Sequence, residues 1–72
     1  MSLEWVRSRY GVPARRGVRV IFDGRPGRIT SARGGHLRIL LDGSKHPVPV
    51  HPRWRVTYLD AQGRAIGPEP VQ

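Results

Sequence analysis

The sequence predicts a small all-β domain, and three features carry that prediction. Segments 17–22, 36–41 and 54–59 alternate apolar and polar residues with the period of a half-buried strand. Nine Gly and seven Pro among 72 residues divide the chain into short pieces. After the first ten residues, no stretch repeats apolar side chains at helical spacing for long enough to support a helix. The expected architecture is five short strands in a closed or nearly closed antiparallel barrel over 17–60. A helix and linker precede it over 1–16, and a flexible, partly disordered tail follows over 61–72.

Each element has its own warrant. Ser2 is placed to cap a helix over Leu3–Tyr10, with Glu4 early and Arg7 and Arg9 late, where the helix dipole favours those charges. Gly11 and Pro13 end it. A helix so short is marginal alone, so Leu3, Val6 and Tyr10, which share a face, have to dock on the rest of the domain. In the first strand Val18, Val20 and Phe22 alternate with Arg19 and Ile21. The cluster Asp23–Gly27 is a turn, and 28–33 is a weaker second strand. Gly34-Gly35 offers a tight hairpin into the strongest strand, where Leu37, Ile39 and Leu41 point inward and Arg38 outward.

Asp42-Gly43 carries the best hairpin signature in the chain. Segment 45–50 can only be extended, and its two prolines confine it to a sheet edge. A corner at His51-Pro52-Arg53 leads to the fifth strand, with Trp54, Val56 and Tyr58 inward. Ala65 and Ile66, after a turn at Gln62-Gly63, are the material for one last hairpin, and residues 68–72 are expected to be disordered. The expected core is Val18, Val20, Phe22, Ile29, Leu37, Ile39, Leu41, Val48, Val50, Trp54, Val56 and Tyr58. Ile21, Leu40 and Leu59 are apolar residues on the outer face.

The order and spacing of these strands resemble a Src-homology-3-like (SH3-like) small barrel. Gly17-x-Arg19-Val20, a glycine-containing turn and Gly27-x-Ile29 look like a KOW-type segment, in which Gly27 lets the chain kink between the first two strands. Val50-His51-Pro52-Arg53-Trp54 looks like the single 3₁₀ turn that joins the fourth and fifth strands of such barrels. The resemblance covers about 17–59. The usual lysine-rich loops of KOW proteins and the acidic and aromatic specificity loops of Src-homology domains are missing. The resemblance therefore implies a fold and not ribosome, polymerase or proline-rich-peptide binding. The whole chain is also similar to short proteins of bacteria and their phages, which implies no particular activity.

Composition narrows the function. The chain is too short for a second domain, and no apolar run approaches the roughly 20 residues that cross a bilayer. Cysteine is absent, which excludes disulfides, thiolate metal sites and thiol nucleophiles. Met1-Ser2-Leu3-Glu4 has neither the basic nor the apolar region of a secretory leader, so a cytoplasmic protein is expected. Asp23 and Asp42 occupy turn positions, and no nucleophile–base pair or phosphate-binding glycine loop is present, so the protein is expected not to be an enzyme. His36, His46 and His51 do not follow a standard ligand spacing, so neither a metal nor a cofactor is expected. No small-molecule substrate and no membrane partner are implied.

Charge supplies the positive signal. Thirteen Lys and Arg stand against five Asp and Glu, a net +8, and all but Lys45 of the thirteen are Arg. Guanidinium groups form planar forks of donors that suit phosphate and stack on bases. The expected ligand is nucleic acid, held through its phosphate backbone by Arg15, Arg16, Arg19, Arg25, Arg28, Arg33, Arg38, Arg53 and Arg55. With the aromatics assigned to the core, only Trp5 and Tyr10 lie outside the strands, and base reading is not expected. The alternative is a protein-interaction or self-assembly adaptor. It would use the proline-bearing edge 45–50, a detachable helix, or an apolar patch of Ile21, Leu40 and Leu59.

Overall fold

The computed structural model describes residues 2–71, so Met1 and Gln72, the outermost residues of the expected N-terminal segment and tail, lie outside the described residues. Helix α1 spans Leu3–Tyr10, as its caps dictate. Ser2 Oγ accepts the Trp5 N–H at 3.1 Å, and Gly11, at φ 65°, ends the helix by donating its N–H to the Arg7 carbonyl. Six strands follow: β1 (Arg19–Phe22), β2 (Arg25–Arg33), β3 (His36–Leu41), β4 (Val48–Val50), β5 (Val56–Leu59) and β6 (Ala65–Ile66). They form one antiparallel sheet in the order β4-β3-β2-β1-β5-β6.

The chain is thus mostly β with one short helix. The sheet has six strands rather than five and is open: among the described residues no ladder joins β4 to β5 or β6. Pro49 removes a donor from the three-residue β4, and β6 takes up the side of β5 that closure would have needed. No helix among the described residues is long and apolar enough to cross a membrane.

Local signals explain most of the sheet. Asp23 and Gly24, at φ 50° and 81°, make a two-residue turn that matches the twist of β1 and β2. β2 therefore starts at Arg25, earlier than the glycine and proline content of 23–27 predicts. Pro26 is tolerated because it sits beyond the last β3 partner, where its carbonyl accepts the Asp42 N–H at 2.9 Å. Gly34 and Gly35 form the expected turn between β2 and β3. Asp42-Gly43 does not form a two-residue hairpin. Asp42 lacks the positive φ such a turn demands, and the chain runs on to Val48 before it pairs with Ile39. Gly27 lies against the backbone of β3, where a Cβ would come within 2.8 Å of the Leu40 carbonyl oxygen. Close approach of two strands is what that position requires.

The core follows the predicted alternation on β1, β3 and β5, with Val20, Ile29, Leu37, Ile39, Leu41, Val50, Val56 and Tyr58 buried. Val18, Phe22 and Val48 pack against it half-buried. A bulge at Thr30 shifts the β2–β3 register, and Thr30 Oγ1 donates to the Arg38 carbonyl. The N-terminal segment contributes to the core beyond the helix face: Val6, Val12 and Ala14 are all buried, and Arg7 Nη1 donates to the Ala14 carbonyl at 2.9 Å.

Trp54 departs from the expectation. It is 59% exposed, because β5 begins only at Val56. Arg55 takes a φ of 58°, which breaks the alternation between Trp54 and Val56. The expected free tail supplies the bonds that hold this turn. Val71 donates to the Arg53 carbonyl at 2.7 Å and accepts the Arg55 N–H at 2.9 Å.

Candidate functional site

Aromatic and imidazole side chains outside the core form a ladder of ring contacts. Trp5 meets Tyr10 edge-on at 6.1 Å between centroids, and Tyr10 meets His51 at 5.2 Å. His51 lies 5.3 Å from Trp54 in a tilted contact, and His36 stands edge-on to His51 at 6.1 Å. Three elements bring these rings together. Helix α1 carries Trp5 and Tyr10, and the Gly34-Gly35 turn leads into His36, with a Cβ at Gly35 coming within 3.8 Å of the Trp5 ring. The corner after β4 carries His51 and Trp54. That corner is fixed internally, since Trp54 N–H bonds the His51 carbonyl, Arg53 N–H bonds His51 Nδ1, and the Tyr58 hydroxyl donates to the Pro52 carbonyl at 2.6 Å.

Two shallow clefts meet at His51 and Pro49. One, of about 520 Å³, is lined by Arg33, His36, Arg38, Pro49 and His51. The other, of about 400 Å³, is lined by Phe22, Pro49, Val50, His51, Trp54 and Arg55. Among the described residues no acidic side chain lines either. Arg9 extends the cationic border, its guanidinium carbon 5.6 Å from the Tyr10 ring centroid. Burial, and then the charges of His36 and Arg53, push the His51 imidazole below its ordinary value.

The nine arginines singled out by the sequence are distributed over four regions. Arg33, Arg38 and Arg55 line the two clefts. Arg53, next to them, is half-buried, with Nη2 toward the Glu69 carbonyl and Nε enclosed without a partner among the described residues. Arg53 and Arg55 sit in the turn before β5 rather than on a strand, and Arg55 is 4.0 Å from Asp23. Arg19 and Arg28 are cross-strand neighbours on the outer sheet face, where Arg19 is tied to Asp42. The Arg19 hydrogen bond, followed by the charges of Arg19 and Arg28, draws the Asp42 carboxyl below its ordinary range. Arg25 is exposed at the β1–β2 turn, and Arg15 and Arg16 border a separate hollow near Leu59 and Asp60.

Of the nine arginines, Arg33, Arg38 and Arg55 are the ones the fold brings to these clefts, and the ring ladder beside them is absent from the sequence-based expectation. Trp5 and Tyr10 stood out as aromatics outside the strands. Alternation places Trp54 inward, and the spacing of His36 and His51 gives them no role. Arg9 lay outside the expected surface, whereas it stacks on a ring of the ladder. The one local cue to Trp54 is its position between Arg53 and Arg55, two residues after Pro52. Comparison with protein-family models, with curated proteins and with solved structures finds no match to this chain.

Proposed function

We propose that the protein is a small, non-enzymatic binding module for nucleic acid, which it holds through the phosphate backbone. One observation carries the reading. Arg33, Arg38 and Arg55 border adjoining clefts that contain two imidazoles and a tryptophan and, among the described residues, have no carboxylate on their lining, the nearest to Arg55 being Asp23 at 4.0 Å. Guanidinium forks match phosphate oxygens, and a net charge of +8 raises the encounter rate with any polyanion. Open, shallow clefts suit a chain of phosphates better than an enclosed small molecule. We take the sheet as an opened form of an SH3-like small barrel, on its strand order and the single turn at His51–Trp54. A cytoplasmic location goes with this ligand.

The adaptor reading has the free edges of β4 and β6 to work with. It is weaker, because Pro49 interrupts β4, and Arg19 and Arg28 lie between Leu59 and Leu40 on the outer face. The test is the affinity for short labelled oligonucleotides, single- and double-stranded, across a salt series. The logarithm of the binding constant should fall linearly with the logarithm of salt, by about 0.7–0.9 per phosphate neutralised. Arg33→Gln with Arg38→Gln should reduce that slope by about one contact each. No binding of either form at low salt, or a slope the double variant leaves unchanged, overturns the proposal.

A further inference from the structure

We infer that the ladder from Trp5 to Trp54 is a stacking surface for unpaired bases, so that the preferred ligand is a single strand rather than a duplex; this rests on the nucleic-acid reading above. Only five residues of the chain are Phe, Tyr or Trp, and the domain has a thin core to fill. Yet neither tryptophan belongs to that core: Trp54 is 59% exposed, and Trp5, though mostly covered, is 37% exposed. A large apolar ring left partly in water on a small domain gives up burial, and here two of them end one continuous run of ring contacts through Tyr10 and His51.

Base faces are open to such rings only when the strand is unpaired, since in a duplex they are already stacked on one another. The flanking charges follow the same line. Arg33 and Arg38 border the ladder on the His36 side and Arg55 on the Trp54 side, where they can track a backbone while the bases turn inward. Stacking tolerates any base, so binding should be insensitive to sequence.

The two tryptophans are the only ones in the chain, so its tryptophan fluorescence reports on the ladder alone. The experiment titrates the full chain with an oligothymidine, with an abasic strand of equal length, with the corresponding duplex, and with polyglutamate. Oligothymidine should quench the fluorescence and bind more tightly than the abasic strand or the duplex. Trp54→Ala should weaken oligothymidine binding roughly 5- to 150-fold, the range that loss of one stacked base gives, and leave abasic binding unchanged. Trp54→Phe should restore most of the loss, which separates stacking from a folding defect. If the abasic strand or duplex binds as tightly as oligothymidine without quenching, the stacking inference is wrong and phosphate binding stands alone. Polyglutamate binding as tightly as oligothymidine also overturns it. If nothing binds at low salt, both readings fail together.

Discussion

The Arg19 guanidinium closes on the Asp42 carboxylate through two hydrogen bonds, of 2.6 and 3.0 Å, and so ties β1 to the turn that follows β3. Pairing draws the Asp42 carboxyl down and the Arg19 guanidinium up from their ordinary values, the hydrogen bond between them being the main cause of each shift. A guanidinium already occupied by a carboxylate is a poor phosphate ligand. An arginine predicted from sequence to bind the backbone is therefore already paired within the fold.

Asp42→Asn should release Arg19. The salt dependence of polyanion binding should then steepen by roughly one contact, about 0.7–0.9 in the log–log slope. Arg19→Gln in the otherwise unchanged protein should alter the slope less than Arg38→Gln does. A salt series on the three variants checks this, and an Arg19→Gln effect as large as that of Arg38→Gln would show that the ion pair opens to admit phosphate.

Two aromatic residues four positions apart should differ sharply in their effect on stability. Tyr58 is 1% exposed and its hydroxyl satisfies the Pro52 carbonyl, while Trp54 stands mostly in water. Tyr58→Phe should cost about 1–3 kcal/mol, because it leaves that carbonyl without its donor. Trp54→Ala should cost less than about 1 kcal/mol. Denaturant unfolding of both variants measures the contrast, and the reverse order would return Trp54 to the core.

That contrast also marks where the sequence was legible. Helix α1, the Gly34-Gly35 turn and β3 are written in local signals: a capping serine, a glycine pair, a strict alternation. Local rules read them correctly. Trp54 is decided by distant residues. The positive φ of Arg55 suits no arginine by itself, and the turn is held by bonds to Val71 and Asp23. Val12 and Ala14 are buried without any periodicity to announce them, because Arg7 anchors their segment from the helix. At the site, Arg33 and Arg38 were legible as outward or turn cations. The ladder was not, because it joins residues 5, 10, 36, 51 and 54, which only the folded chain brings together.

His51 should make stability and ligand affinity respond to pH in opposite directions. Its ring packs between Tyr10 from α1 and Trp54 from its own corner, with His36 from β3 edge-on. Arg53 is beside it, and Arg33 and Arg38 face it across the cleft; among the described residues no carboxylate lines that cleft. Burial first, then His36 and Arg53, disfavour the imidazolium, so the native value lies below the ordinary 6.5. Between the two values the unfolded chain binds more protons than the native one. Stability from this group is therefore complete above pH 6.5 and declines as pH falls through the native value. A bound phosphate backbone reverses the balance by favouring the imidazolium. Complex formation should take up protons in that window, and affinity should rise as the pH falls. His51→Gln should abolish the proton uptake attributable to this ring and flatten the acid limb of the stability curve. Calorimetric titration in buffers of different ionisation enthalpy measures the uptake, and thermal unfolding across the same pH range measures the stability. Proton release on binding, or stability that rises as pH falls below 6.5 through His51, would contradict the geometry of the cleft.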